Sequence, residues 1–204
     1  KILKNEFFKK QPPRALFSVL QKLHESFPET FLAGGCVRDA LLGVTAKDFD
    51  IATGASPDQV QALFRSTVAV GKQFGVIRVL MDEHEFEVAS FRTDGLYIDG
   101  RRPSQVLFSS PLEDALRRDF TINALFYDPW SEEIIDYVGG LKDLADKKIA
   151  CVGDPKSRFN EDALRLLRAI RFQAQLGFSI QDETWQAIET QIKSIEKVSK
   201  ERLF

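Results

Sequence analysis

Three acidic side chains have the types and spacing needed to hold a metal ion. Asp48 and Asp50 flank Phe49, so in a strand both carboxylates would face the same way and repel each other. Such a pair can share a proton, cap a basic patch or bind a divalent cation, and Mg²⁺ suits a site with few carboxylates. Glu87 could add a third carboxylate and allow two Mg²⁺ ions, whereas Glu85 on the same face is the solvated alternative.

A glycine pair precedes these acids and could bind phosphate. Gly34 and Gly35 follow the short predicted strand TFLA, and the helix after them would present unpaired backbone N–H groups. Arg38, one turn into that helix, could donate two hydrogen bonds to a phosphate. The alternative is a tight turn with a surface arginine, because a lone Gly-Gly pair is weakly specific.

Charged residues recur every third position near the C-terminal end of the chain, at Asp162, Arg165, Arg168 and Arg171. In a helix each would lie beside the previous one, with the stripe drifting by about 60° per step. A surface helix with salt bridges between residues three apart is the alternative interpretation.

Hydrophobic periodicity and turn residues predict the elements that position these groups. Strands are predicted at 30–33, 49–53, 76–81, 85–91 and 133–138. Helices are predicted at 14–27, 37–43, 56–64, 112–128 (continuing or handing over near 121), 160–176 and 182–203. The fold class is therefore an α/β (α+β) head with a small mixed sheet over residues 1–150, followed by an all-helical part over 151–204. The polar segment 93–110 is predicted to be a mobile loop.

The composition of the 204 residues, 44% hydrophobic and 28% charged, is typical of a globular protein. The net charge of −2 does not indicate nucleic-acid binding by the whole chain, yet basic residues cluster at 101–103, 116–120 and 165–171. Local clusters of this kind can bind phosphates.

The two cysteines and the hydropathy pattern favour a cytoplasmic protein. Cys36 and Cys151 form no CxxC pair, so we expect two buried, reduced thiols. No run approaches the roughly 18 apolar residues of a membrane span, and no signal peptide is visible. The sequence leaves the oligomeric state open.

Several blocks together resemble a known family. The glycine, D-F-D and h-E-h blocks resemble the nucleotidyltransferase superfamily that includes DNA polymerase β. Three further blocks narrow the resemblance to the class II tRNA nucleotidyltransferase and bacterial poly(A) polymerase family: RRDFTINA (117–124), EIIDYVGG (133–140) and NEDALRLLRAIRF (160–172). The blocks extend from about residue 31 to 180, in order and at family-like spacing.

The resemblance implies a role for individual residues. Asp48 and Asp50 match metal-binding aspartates, and Glu87 matches the third catalytic carboxylate. The residues that match nucleotide-binding positions are Gly34, Gly35, Arg38, Arg118, Asp119, Asn123, Asp162, Arg165, Arg168 and Arg171. Within this set the resemblance ties Asp119 and Asn123 to the ribose, and Asp162 with Arg165 to the Watson–Crick edge of the incoming base.

Hydrogen-bond chemistry supports the last assignment. An aspartate accepts from an exocyclic amino group and an arginine donates to ring nitrogens or carbonyls, so together they can distinguish C and A from U and G without a template. For Arg117, Arg118 and Asp119 the alternative is an ion-pair cluster that orients the head on the helical part. We expect Arg118 to do both, with Asp119 holding an arginine in place.

The resemblance implies template-independent transfer of C or A from CTP or ATP to the tRNA 3′ end, with Mg²⁺ as cofactor. Segments 70–79 and 99–103 favour a tRNA enzyme over a poly(A) polymerase, which is the alternative, and the loop that contains Arg101 and Arg102 argues against a CC-only enzyme. CCA-adding and A-adding enzymes are not separated. A non-catalytic RNA binder would not need three converging acids, and an antibiotic-modifying relative should lack the block at 160–172.

The 151–204 part resembles the family's neck, and the family carries further body and tail domains. We therefore expect the chain to be a piece of a longer protein. We also expect it to bind ATP or CTP with Mg²⁺ while holding tRNA weakly.

Overall fold

The computed structural model describes residues 12–69, 71–94 and 106–197. Its strands are β1 (Thr30–Ala33), β2 (Asp50–Thr53), β3 (Thr67–Val68), β4 (Val76–Met81), β5 (His84–Ser90), β6 (Arg92–Asp94), β7 (Val106–Phe108), β8 (Phe126–Asp128), β9 (Glu133–Ile135), β10 (Lys148–Ile149) and β11 (Ser179–Ile180). Its helices are α1 (Arg14–His24), α2 (Gly35–Leu41), α3 (Pro57–Leu63), α4 (Pro111–Leu116), α5 (Gly140–Ala145), α6 (Pro155–Glu161), α7 (Leu164–Leu176) and α8 (Asp182–Gln191).

A mixed sheet of seven strands, in the order β3-β4-β5-β2-β1-β8-β9, forms the centre of the head. Neighbouring strands are antiparallel except β2 and β5, which run parallel. The predicted mixed sheet in an α/β head is confirmed. The parallel pair places Asp50 beside Glu87, and on its other edge Asp50 lies beside Ala33 of β1. The sheet therefore brings the acids and the end of the glycine-bearing strand to one place.

Side chains of β1 alternate between two apolar clusters, as expected for a strand covered on both faces. Leu32 belongs to the larger cluster with α1, α2 and α3, whereas Phe31 and Ala33 belong to a second cluster around Phe91 and Phe126. The larger cluster continues into buried side chains of α6, α7 and α8. The division into a head and a neck near residue 150 remains a prediction, and one continuous core joins the two parts.

Two local predictions are confirmed together with their physical causes. Helix α3 begins with Pro57 behind a capping box, in which the Ser56 hydroxyl accepts from the Gln59 N–H and the Gln59 amide oxygen accepts from the Ser56 N–H. The β4–β5 hairpin turns at Asp82 and Glu83, whose φ angles of 48° and 63° suit a tight turn that matches strand twist.

The helical prediction for 112–128 is wrong over much of its length. Helix α4 ends at Leu116, a single turn of 3₁₀ helix spans Thr121–Asn123, and Phe126–Asp128 forms β8. Strand β8 forms because it pairs with β1 on one side and β9 on the other, burying Phe126 completely. Tertiary pairing here outweighs local helix preference.

The helical predictions for the C-terminal part need correction as well. The predicted helix at 160–176 is broken at Asp162, whose backbone is extended (φ −147°, ψ 108°) and whose Oδ1 accepts from the Leu164 N–H. Aspartate favours such local bonds at a helix start over a place inside a helix. The second predicted helix ends at Gln191 and is followed by 3₁₀ helix. A short parallel pair, β10–β11, was not predicted.

Only the edges of the predicted loop at 93–110 belong to the described residues. There β6 pairs with β7 in an antiparallel ladder. Arg101 and Arg102 lie outside the described residues. Within the described ranges, no helix is both long enough and apolar enough to cross a membrane.

Candidate active site

The side chains of Arg118 and Asp50 both lie close to the glycine turn after β1. Gly34 adopts φ 72° and ψ −127°, a conformation that essentially only glycine tolerates. A Cβ atom at Gly34 would lie 3.1 Å from Nη1 of Arg118 and 3.9 Å from Oδ2 of Asp50. A side chain at this position would therefore occupy the space between Arg118 and Asp50.

Asp50 and Glu87 form the carboxylate pair of the site. They are direct partners in the parallel ladder of β2 and β5, and both contribute to the same cavity. Burial and the charge of Glu87 raise the pKa of Asp50 to about 6; Arg118 opposes this rise and Asp48 adds to it. Such crowding of negative charge is what a bound cation would relieve.

Asp48 occupies a different position from the predicted one. Strand β2 begins at Asp50, so Asp48 precedes the strand, is exposed and does not line the cavity. Among the described residues, no three or more His, Cys, Asp and Glu side chains are grouped as a metal site. The structure thus shows a carboxylate pair, with Asp48 within electrostatic reach of Asp50. Glu85, the alternative third acid, forms an ion pair with Arg78 at 2.8 Å.

Arg38 is buried, contrary to the alternative of a surface arginine. The residue is 4% exposed, and its side chain donates to Oδ1 of Asp39 through Nε and Nη2 and to Oδ1 of Asn123 through Nη1, at 2.6 to 2.9 Å. Its guanidinium lies 5.1 Å from the ring centre of Phe172. These contacts fix Arg38 beside the Gly35 backbone, where it lines the cavity.

Arg118 is held from three sides. Its Nε and Nη2 donate to Oδ2 of the buried Asp114 at 3.2 and 3.0 Å, and its Nη1 donates to the Asn123 carbonyl at 3.1 Å. Its guanidinium also lies 5.0 Å from the ring centre of Phe126. The ion-pair cluster offered as the alternative for 117–119 is present only in part, because Arg117 and Arg118 pair with Asp114 rather than with Asp119.

Asp119 joins the head to α7. Its Oδ2 accepts from Nε of Arg168 at 2.6 Å, while its Oδ1 accepts from the Phe120 N–H and from Nδ2 of Asn123. The expectation that Asp119 holds an arginine is therefore confirmed. Arg168 also lies 5.3 Å from the ring centre of Phe172, so it is fixed at two points.

Arg165 is buried and extensively paired. It donates through Nη1 to Oε2 of Glu161 and to the Arg158 carbonyl, and through Nη2 to the Arg117 carbonyl at 3.3 Å. Asp162, which ends α6, is held by its bond to the Leu164 N–H. Both residues predicted to recognise the base are thus held by hydrogen bonds within the protein, although they do not lie on one continuous helix.

One cavity of about 580 Å³ collects most of the predicted residues, a volume suited to a small-molecule ligand. The predicted residues that line it are Gly34, Gly35, Arg38, Asp50, Glu87, Arg118, Asp119, Asn123, Asp162, Arg165 and Arg168. Asp48 and the exposed Arg171 do not. Among the lining residues that the sequence did not assign to nucleotide binding, Arg117 and Phe172 carry the most interactions. Phe172 follows Arg168 by four residues in α7, so helical spacing could have indicated it.

The cysteines take no part in this chemistry. Both are buried and free, which confirms the expectation, and burial raises the pKa of each thiol to about 12. A thiol with this pKa stays protonated at neutral pH and is a poor nucleophile.

Comparison with known proteins agrees with this geometry. The family model for the poly A polymerase head domain matches residues 30–150, more than half of the chain. The chain belongs to this family. A second model, described as a probable RNA and SrmB-binding site of polymerase A, matches residues 177–204.

The individual relatives that match this chain are CCA-adding enzymes and a tRNA nucleotidyltransferase. The chain is 50% identical over 185 residues to the CCA-adding enzyme of Bacillus pumilus, covering 90% of this chain and 46% of that protein. The crystal structure of the Bacillus stearothermophilus CCA-adding enzyme in complex with CTP superposes with a TM-score of 0.85 at 38% identity, covering 95% of this chain and 47% of that one. A tRNA nucleotidyltransferase complexed with a primer tRNA and an incoming ATP analog superposes with a TM-score of 0.64 at 28% identity, covering 86% and 50%.

These matches confirm the resemblance to the class II tRNA nucleotidyltransferase and poly(A) polymerase family and the polymerase-β-like fold of the head. The chain spans about half the length of the curated relatives it matches. The activity of a whole protein is therefore a proposal, given below.

Proposed function

We propose that this chain is the nucleotide-adding part of an enzyme that extends the 3′ end of tRNA with C and A, taken from CTP and ATP. The observation that carries the proposal is the single cavity in which the Asp50–Glu87 pair and the Asp162–Arg165 pair meet around fixed arginines. Support comes from the CCA-adding relatives and from the solved neighbour in complex with CTP.

The chain's own residues would bind and orient the nucleotide. The Gly34–Gly35 turn and Arg118 would hold the triphosphate, since backbone N–H groups and a guanidinium both suit phosphate oxygens. Asp162 would accept from the amino group of C or A, and Arg165 would donate to the ring edge. Because both side chains are already fixed by protein contacts, the site would select a base without a template.

The donor set fits Mg²⁺, which belongs to this proposal. Asp50 and Glu87 line the cavity and would hold an ion, and Asp48, which lies outside the cavity, would have to turn toward Asp50 to add a third carboxylate for one or two ions. Oxygen ligands and few carboxylates suit Mg²⁺ when phosphates complete the coordination. When bound, the ions would activate the terminal hydroxyl and neutralise charge on the leaving pyrophosphate. Above about pH 6 Asp50 carries the negative charge this role requires.

The reaction would be an in-line attack of the tRNA 3′-hydroxyl on the α-phosphate, with pyrophosphate leaving. The protein would contribute mainly positioning and charge neutralisation, as in other phosphoryl transfers. A cytoplasmic location is part of the same proposal and agrees with two free cysteines.

The test supplies full-length protein with tRNAs that end before CCA, after C or after CC, and with each nucleoside triphosphate singly and mixed. Stepwise addition of C, C and A is the expected result. Addition of A alone to the CC-ended tRNA would indicate an A-adding enzyme instead.

A poly(A) polymerase is the second candidate, favoured by the family model that matches the head. Long A tracts added to unrelated RNA would support it and overturn the tRNA-specific proposal. Normal activity in an Asp48→Ala, Asp50→Ala double variant would refute the carboxylate mechanism for both candidates. The 204-residue chain alone should bind CTP or ATP with Mg²⁺ but bind tRNA weakly, which filter binding would check.

A further inference from the structure

Asp114 is a buried acid to which the proposed reaction gives no role. It lies near the end of α4, its side chain is 1% exposed, and it does not line the cavity. Its Oδ1 accepts from Nε and Nη2 of Arg117 at 2.9 and 2.6 Å, and its Oδ2 accepts from Nε and Nη2 of Arg118 at 3.2 and 3.0 Å. One carboxylate thus accepts from two consecutive guanidinium groups, each of which donates two N–H groups to one of its oxygens in charge-assisted hydrogen bonds.

The two neighbouring arginines favour the ionised form of the Asp114 carboxylate. Burial alone would raise the pKa of Asp114, but the charges of Arg118 and Arg117 and their hydrogen bonds lower it below its ordinary value. A buried carboxylate satisfied in this way is a rigid anchor, because each of its oxygens accepts from two donors.

The hydrogen bonds from Arg118 to Asp114 determine which edge of the Arg118 guanidinium faces the cavity. Nε and Nη2 are taken by Asp114, so Nη1 is directed to the Asn123 carbonyl at 3.1 Å. Nη1 also lies within 3.1 Å of the place where a Cβ of Gly34 would stand. Arg118 therefore presents its Nη1 end at the glycine turn, beside Asp50, where its charge lowers the Asp50 pKa.

We propose that Asp114 is a positioning residue that holds Arg118 in the orientation needed to bind the nucleotide triphosphate. The proposal rests on the proposed function, because it assumes that phosphates lie at the Gly34 turn. Asp114 acts through Arg118 and does not touch the nucleotide itself. Loss of Asp114 should therefore weaken binding of the phosphates and leave binding of the nucleoside unchanged.

The test measures binding of CTP and of cytidine to full-length protein with Mg²⁺ by titration calorimetry. The variants are Asp114→Asn, Arg118→Gln and their combination. Glu113→Gln is the matched control on the same helix, since glutamine keeps the capping box that joins Glu113 to Ser110. We expect Asp114→Asn to weaken CTP binding by about tenfold, a typical coupling for groups in one network. Cytidine binding and the Glu113→Gln variant should be unchanged, and Asp114→Asn should add no further loss to Arg118→Gln.

The outcomes separate this inference from the proposed function. Failure of the wild-type protein to bind CTP or ATP would refute the proposed function. Equal losses for CTP and cytidine, or losses that add in the double variant, would mean that Asp114 only stabilises the fold.

If Asp114→Asn does not fold, Arg118→Lys provides the test, because it keeps the charge and leaves Asp114 paired with Arg117. It should show the same loss, specific to the triphosphate. Wild-type CTP affinity in Arg118→Lys would overturn the proposal.

Discussion

Replacing Gly140 by alanine should destabilise the protein strongly, because the added Cβ atom would overlap backbone atoms of Thr121. Gly140 begins α5, and a Cβ atom there would lie 2.2 Å from the Thr121 carbonyl oxygen and 2.9 Å from the Thr121 carbonyl carbon. These are backbone atoms, so no rotation of a side chain can relieve the overlap. The Thr121–Asn123 turn or the start of α5 would have to move by about 1 Å.

The expected loss of unfolding free energy is about 3 kcal/mol or more, at the upper end of the usual cost of overpacking by one carbon. The neighbouring Gly139 is the matched control, because it has a φ of 81° and nothing within 4 Å of an added Cβ. Gly139→Ala should lose only about 1 kcal/mol, the cost of placing alanine in the left-handed region. The pair therefore separates steric crowding from backbone strain.

Urea denaturation of both variants measures the difference, and titration with CTP tests its functional consequence. The displaced turn carries Asn123, whose Oδ1 accepts from Nη1 of Arg38 at 2.6 Å, so Gly140→Ala should weaken CTP binding as well. If Gly140→Ala were no more destabilising than Gly139→Ala, the close packing of α5 on the Thr121 turn would be refuted.

Substitutions of Asp50, Asp114 and Ser56 test three further features of the structure. Because the folded-state pKa of Asp50 is raised to about 6, the contribution of Asp50 to stability should fall as pH rises from about 4 to 6. Without added metal, Asp50→Asn should be more stable than wild type at pH 7 by about 1 kcal/mol, because Asp50 is partly exposed and solvent screens the charge repulsion. Equal stability of the two proteins in denaturant titrations would contradict this. Because the pKa of Asp114 is lowered, its contribution is present above about pH 4 and should disappear as pH falls further, so acid unfolding of Asp114→Asn should be shallower than that of wild type. Ser56→Ala removes the capping hydroxyl of α3 and should lose about 1 kcal/mol in thermal unfolding with no change in CTP affinity.

The sequence predicted best those elements whose signals are local. Helix α3 and the β4–β5 hairpin were correct because a capping box and a two-residue turn determine them within a few residues. Strand β8 was missed because its stability comes from pairing with β1 and β9, which are distant in sequence. The break at Asp162 was missed because helical periodicity continues through it, while a single side-chain bond restarts the helix.

The sequence indicated most of the residues that line the cavity, but not how their side chains are arranged. The Asp50–Glu87 pairing agrees with the expected convergence of strands, but Asp48 falls outside β2, which begins two residues after it. Arg168 lines the cavity and Arg171 does not, because successive residues three apart drift round the helix. Residue types and motifs predicted most of the residues that line the cavity, whereas the direction of each side chain depended on where helices and strands begin.

Two Arg-Asp dipeptides place their arginines in the cavity wall, and the two aspartates have different partners. In α2, Asp39 accepts from the preceding Arg38. At 117–119, the aspartate of the dipeptide reaches instead to Arg168 in α7. Sequence adjacency alone could not show this difference, because it depends on α7 packing against the 117–119 segment.

The arginines of the cavity are held by the protein before any ligand arrives. Asp39 pairs with Arg38, Asp114 pairs with Arg118, and Asp119 pairs with Arg168. Donors fixed in this way need no reorganisation when a charged ligand binds, and this is the main source of electrostatic stabilisation in enzymes. The acids that hold them also offset their charge, so a cavity lined with arginines occurs in a chain of net charge −2. The weak overall charge of the chain is therefore compatible with phosphate binding, because the hydrogen-bond donors that phosphates need are fixed at one place.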